Sequence, residues 1–236
     1  MTEQERLDIL NGAKKFFREI IASRHIENTR KLNDLSEFNV NPFLLLYNAN
    51  YLTGNNDAKS VAKSLIYPRV LGTSINTSFG TQFQYFISNT LSGYASAIQG
   101  LDIEFVDQID SRRKYCQLKA GPNTINKDDV QTIINHFNGV RNLARTNRLS
   151  IGLDDLVVGV LYGNVEELST HYKRINEQYP VIVGREFWHR LTGREDFYME
   201  LINAIGEVAI EVDGSDLLDQ VIDQLAEQIR EKWGYK

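Results

Sequence analysis

The stretch from Gly100 to Asn126, GLDIEFVDQIDSRRKYCQLKAGPNTIN, constrains this chain more than any other. It reads as two short strands joined by a charged turn near Ser111. Successive side chains of a strand point to opposite faces. Asp102 and Glu104 therefore share a face, as do Gln117 and Lys119. A turn near Ser111 is expected to set Asp102 opposite Lys119 and Glu104 opposite Gln117. One face of the hairpin then carries two carboxylates, an amide oxygen and an ammonium. The other carries Ile103, Phe105, Cys116 and Leu118, which can pack inward. Oxygen donors of this kind suit a hard divalent cation, with a lysine held alongside. Metal-assisted hydrolysis of a phosphodiester needs such an arrangement.

The flanking segments supply the rest of a fold. Residues 1 to about 35 carry Leu7, Leu10, Phe16, Phe17, Ile20 and Ile21 near helical spacing. A second helix is expected from Phe43 to about Thr53, with Pro42 near its first turn. Another follows the turn cluster Gly54 to Asp57 and runs through Leu65. Tyr67-Pro68-Arg69 is expected to interrupt it, followed by the small, polar segment Gly72 to Thr81 and a helix from Gln82 to about Ser92. After the hairpin, Asn126 or Asp128 can cap a helix that reaches about Asn142. Leu156 to Tyr162 and Pro180 to Gly184 read as buried strands. A helix follows from near Arg185, and another from Ser215 carries a stripe of Leu218, Val221, Ile222, Leu225 and Ile229. The fold class expected is α/β: a mixed β-sheet flanked by helices, with a helical N-terminal part. One domain is expected over residues 1–236, mainly helical over 1–95, with the sheet core over 96–195 and C-terminal helices over 196–236.

The 236 residues carry a net charge of −5, which excludes a uniformly basic protein that coats nucleic acid and leaves room for a locally basic cleft. No apolar run approaches the ~20 residues of a membrane span, and the charged N-terminus has no signal-peptide core. The single cysteine, Cys116, has no internal partner and is expected to be buried and inert, as suits a reducing cytoplasm. His136 lies beside Ile133, Ile134 and Phe137 and reads as a core residue. His25, His171 and His189 are too far apart in sequence to suggest a metal cluster. Nucleotide-binding and serine-hydrolase signatures are absent.

The charge balance changes after the hairpin turn. Arg112, Arg113, Lys114, Lys119, Lys127, Arg141, Arg145 and Arg148 form a basic segment in an acidic chain. The small residues Ala120-Gly121-Pro122 that follow Lys119 would let a DNA backbone approach closely.

The pattern Asp102…Gln117-Leu118-Lys119 resembles the PD-(D/E)XK nuclease superfamily. Within it, five blocks in family order resemble type II restriction endonucleases that cut sites with a GGNCC core: NPF at 41–43, YPRVLG at 67–72, QLKAG at 117–121, VVGVLYGN at 157–164 and GREFW at 184–188. The resemblance implies a restriction-endonuclease-like fold, a homodimer, and Mg²⁺-dependent cleavage of double-stranded DNA at a short, near-palindromic site. It also implies a cognate DNA methyltransferase as a functional partner. Asp102 matches the metal-binding aspartate and Lys119 the catalytic lysine, and the resemblance implies Mg²⁺ held by Asp102 with help from Gln117 and the carbonyl of Leu118. Gln117 stands where many members carry Glu or Asp, so the site has one charge fewer, which Glu104 could supply. On this reading guanines are contacted by Arg69, Arg141, Arg145 or Arg148. Thr73, Ser74, Asn76, Thr77 and Ser78 are candidates for phosphate or base contacts, and Lys127, at a helix start, suits phosphate. Two other readings are a structure-specific repair or recombination nuclease of the same superfamily, and a non-catalytic DNA-binding module.

Overall fold

In the computed structural model, which describes residues 1–148 and 150–235, four strands form one sheet. They are β1 (Ile103–Val106), β2 (Arg113–Lys119), β3 (Leu156–Val160) and β4 (Val181–Val183), in the spatial order β1-β2-β3-β4. β1 and β2 are antiparallel, whereas β3 runs parallel to both β2 and β4. Parallel neighbours need a crossover, and the helices Lys127–Thr146 and Thr170–Asn176 provide the two required. This is the expected mixed sheet flanked by helices, with a helical N-terminal part.

Hydrophobic pattern explains which helix covers which face. Leu156, Val158 and Val160 of β3 share a buried cluster with Val130, Ile133, Phe137 and Val140 of the first crossover helix. On the opposite face, Phe105 stacks edge-on against Phe187 of the helix Arg185–Thr192, at 6.3 Å between ring centroids. Cys116 and Leu118 are buried on that side as well, as expected. The central residue Gly159 lets Phe187 reach the sheet, since a Cβ there would lie 2.5 Å from its ring.

The chain divides into two compact units, residues 1–14 with 83–206 and residues 15–82 with 207–236. The sheet belongs to the first. The second is built around Ala49, Val61, Ala62, Ile66, Val221, Ile222, Leu225 and Ile229, from the helices Leu45–Thr53, Ala58–Pro68 and Ser215–Trp233. No helix among the described residues is long and apolar enough to cross a membrane.

Two local expectations are corrected. The helix that reaches Pro68 is not interrupted there. It continues as a π-helical turn, Arg69–Ser74, into the helix Ile75–Thr81, so the small polar segment is helical. Proline lacks the amide hydrogen and crowds the carbonyl one turn back, yet the helix runs through Pro68 and widens to a π turn directly after it. The hairpin register also differs. Ile103 pairs with Cys116 and Glu104 with Tyr115, two residues away from the expected pairing of Glu104 with Gln117. The tighter turn is closed by Asp107 and Arg112, with Ser111 at φ 59°. A slip of two residues changes the partners and preserves the faces.

Candidate active site

β1 ends before β2 does. Its last main-chain hydrogen bond on this side is donated by the Asp102 N–H to the Cys116 carbonyl, at 2.9 Å. The next outward-facing amide of β2, the N–H of Leu118, therefore lacks a strand partner. The Asp102 carboxylate takes its place and accepts that N–H at 2.7 Å through Oδ2. The N–H and C=O of one strand residue point the same way, so the Leu118 carbonyl is directed to this same edge. The structure thus brings Asp102 to the Gln117-Leu118 peptide, although Asp102 does not stand opposite Lys119.

Gln117 is buried. Its amide nitrogen donates to the carbonyl oxygen of Gly100 and lies 2.6 Å from Nδ1 of His136. A main-chain carbonyl only accepts, so the amide end facing Gly100 must be the NH₂. Both amide hydrogens are then used. The amide oxygen, Oε1, is buried and has no hydrogen-bond partner among the described residues. An orphaned buried acceptor of this kind is costly unless something binds it.

Lys119, at the end of β2, is half-buried, and no carboxylate among the described residues lies within ion-pair distance of it. Glu104 is engaged elsewhere: Ser96 Oγ donates to it at 2.8 Å and Arg113 Nη1 at 3.2 Å. Among the described residues no three of His, Cys, Asp and Glu cluster as a metal site. The donor set on offer is one carboxylate, one amide oxygen and a main-chain carbonyl, a combination that fits a hard cation completing its shell with water.

The segment after Lys119 is not the open approach its small residues suggested. Ala120, Gly121 and Pro122 are all buried. A Cβ on Gly121 would lie 2.3 Å from the Tyr162 ring, and the Tyr172 hydroxyl donates to the Gly121 carbonyl at 3.0 Å. Burial pushes the Tyr172 hydroxyl up to about 12, so it stays a donor.

The basic segment is corrected in part. Arg112 pairs with Asp155 at 2.6 Å, Arg113 with Glu104, and the buried Lys114 with Asp110 at 2.6 Å. These charges hold the hairpin together. Lys127, Arg141 and Arg145 lie on the crossover helix without an ion pair among the described residues, and Arg148 is exposed just beyond its end. Asn126 rather than Asp128 caps that helix, in a capping box with Asp129.

In the second unit, Arg69, Thr73 and Ser74 line a groove of about 420 Å³ together with Arg24, Asn28 and Lys31. Arg69 is fixed there over the Phe38 ring and donates to the Glu37 carbonyl. Asn76 is exposed and donates to the Gly72 carbonyl. Sequence reasoning passed over Arg24 and Lys31, which reach the groove from a helical turn remote in sequence. It also read His136 as core, because nothing in the sequence links it to Gln117 across 19 positions.

The family model of the type II restriction endonuclease EcoO109I matches residues 10–213 of the chain. A comparison with curated proteins gave no match.

Proposed function

The chain belongs to the EcoO109I family of type II restriction endonucleases, and from that premise we propose that it cuts a GGNCC-like, near-palindromic site as a Mg²⁺-dependent homodimer. Family membership makes it a site-specific nuclease, a hydrolase whose substrate is double-stranded DNA. The finer reading rests on one observation above the others: Asp102 accepts the Leu118 N–H, and the adjoining Gln117 carries a buried amide oxygen with no partner among the described residues, two positions before Lys119.

In this reading the site is of PD-(D/E)XK type with glutamine in the second position. Asp102, Gln117 Oε1 and the Leu118 carbonyl would hold Mg²⁺. In their hold such an ion would supply polarisation of the scissile phosphate and a more acidic water molecule. Lys119 orients the attacking water and faces the negative charge that grows on the phosphoryl oxygens. The water oxygen bonds to phosphorus as a P–O bond to one sugar breaks, and the departing oxygen takes up a proton. Glu104 shares this face and, once released from Ser96 and Arg113, would add the second carboxylate that the donor set lacks.

DNA contacts are assigned to Arg69, Thr73, Ser74 and Asn76 in one unit and to Lys127, Arg141, Arg145 and Arg148 in the other. A two-fold dimer would present two copies of the site to a palindrome. An apolar surface supports a second copy: Phe43 is 93% exposed and Tyr51 82%, with Tyr47 and Leu71 exposed in the same unit. A cognate methyltransferase would protect host DNA, and the cytoplasm is where both would act.

The test is incubation of the purified protein with unmethylated phage DNA and Mg²⁺, beside Asp102→Ala and Lys119→Ala. Discrete fragments are expected from the wild type, with cleavage reduced at least about 10²–10³-fold in each variant while DNA binding persists. A smear or junction-only cutting would replace the site-specific reading with a repair nuclease. Normal cleavage by either variant would overturn the residue assignment.

A further inference from the structure

We infer that His136 is a positioning residue that, with the Gly100 carbonyl, holds the Gln117 amide so that its oxygen is free for the divalent cation. The inference rests on the metal reading proposed above and adds a residue to it.

A carboxylate presents an oxygen whichever way it is turned. An amide does not: half of its orientations would offer NH₂ to the cation, which repels it. Replacing the acid by Gln117 therefore creates a requirement for something that selects one orientation. The surroundings of Gln117 supply it. The Gly100 carbonyl accepts one amide hydrogen, and His136 Nδ1, 2.6 Å away, accepts the other. For Nδ1 to accept, the ring must be neutral with its proton on Nε2. With both hydrogens committed, Oε1 can only point away from them, and it is the atom left buried without a partner.

The close approach is built into the backbone. Gly100 sits at φ +86°, in the region that favours glycine, and a Cβ there would lie 2.8 Å from the His136 ring. The ring is carried by the long crossover helix, whose neighbouring residues Ile133, Phe137 and Val140 are anchored in the core. His136 also lines a cleft of about 400 Å³, together with Gln99, Asn135 and Leu143. A purely core histidine would need neither the glycine nor the contact to a buried amide.

Metal binding without turnover gives the test. Mn²⁺ is titrated into the full-length protein and the free-ion EPR signal followed, for the wild type, Asp102→Ala, His136→Ala, His136→Asn, Gln117→Glu and the Gln117→Glu/His136→Ala pair. Circular dichroism melts show which variants fold. His136→Ala is expected to weaken Mn²⁺ binding about 10-fold or more, the usual effect of removing a residue that orients a ligand. His136→Asn, whose side-chain oxygen can replace Nδ1 as acceptor, is expected to restore most of it. In the Gln117→Glu background, His136→Ala is expected to change binding less than about 2-fold, because a carboxylate needs no orienting. Equal losses in the two backgrounds, or no loss from His136→Ala, would overturn the role of His136 while leaving the metal site intact. Unchanged Mn²⁺ binding by Asp102→Ala would overturn the metal site itself and this inference with it.

Discussion

At the scale of single residues, Lys114 shows how charge serves the hairpin rather than DNA. Its side chain is only 3% exposed, yet its ammonium donates to Asp110 at 2.6 Å and to the Asp154 carbonyl at 3.1 Å, with Asp155 at 3.7 Å. Without the lysine, the Asp154 carbonyl loses its donor, while Asp155 keeps Arg112 and Asp110 keeps the Arg112 N–H. Lys114→Ala is therefore expected to cost about 1–3 kcal/mol in urea unfolding, and Arg112→Ala, more exposed, less. Asp110 belongs to the same network. Desolvation raises its pKa, but the hydrogen bonds from Lys114 and the Arg112 N–H, with the charges of Lys114 and Arg190, outweigh that and hold it below the usual aspartate value. A carboxyl depressed in the folded state binds fewer protons there than in the unfolded chain. Its contribution is complete above the unfolded value and is lost as pH falls through the folded one. Stability should therefore drop below about pH 4, and Asp110→Asn should flatten that acid limb. An unchanged limb in the variant would mean that Asp110 contributes nothing to it.

At the scale of elements, side-chain parity was legible and register was not. Alternation alone put Asp102, Glu104, Gln117 and Lys119 on one face, because a period of two survives any even shift. The pairing depended on the turn, and the turn is set by Asp107. This aspartate is fully buried, accepts the Ile109 N–H at 2.8 Å and pairs with Arg190 at 2.8 Å. A partner 83 positions away cannot be read from local pattern. The helix carrying His136 was visible from its apolar spacing and its capping asparagine, whereas the contact of His136 with Gln117 exists only once that helix packs on β2. Gly184, directly after β4, makes a prediction at this scale. It has φ +55°, and a Cβ would lie 2.2 Å from the Gly163 carbonyl oxygen, a main-chain atom that cannot swing aside. Gly184→Ala should therefore destabilise by about 2–4 kcal/mol, from backbone strain and overpacking together, as measured by thermal unfolding. A loss under about 1 kcal/mol would show that the β3 and β4 exits separate easily.

For the whole molecule the question is how a chain of net charge −5 binds a polyanion. Overall repulsion must be overcome locally, by cations not already spent on carboxylates. Arg6, Arg18, Lys59, Arg112, Arg113, Lys114, Arg190 and Arg194 are spent in this sense, each paired with at least one carboxylate. Arg141 and Arg145 are not paired among the described residues. They sit one turn apart on the same helix face, where two cations raise the local potential together. Each cation that neutralises a phosphate releases counterions, so affinity should fall steeply with salt. If Arg141 and Arg145 contact phosphates, Arg141→Gln and Arg145→Gln should each reduce the slope of log K against log salt by about 1 and weaken all sequences alike. If one of them reads guanine, its variant should instead cost about 1–3 kcal/mol on the preferred site and relax its sequence preference. Binding titrations at several salt concentrations, on a cleaved site and on a scrambled duplex with Ca²⁺ in place of Mg²⁺, separate the two outcomes. An unchanged slope and an unchanged preference in both variants would remove this helix face from the DNA interface and leave the groove lined by Arg24, Lys31 and Arg69 to carry binding.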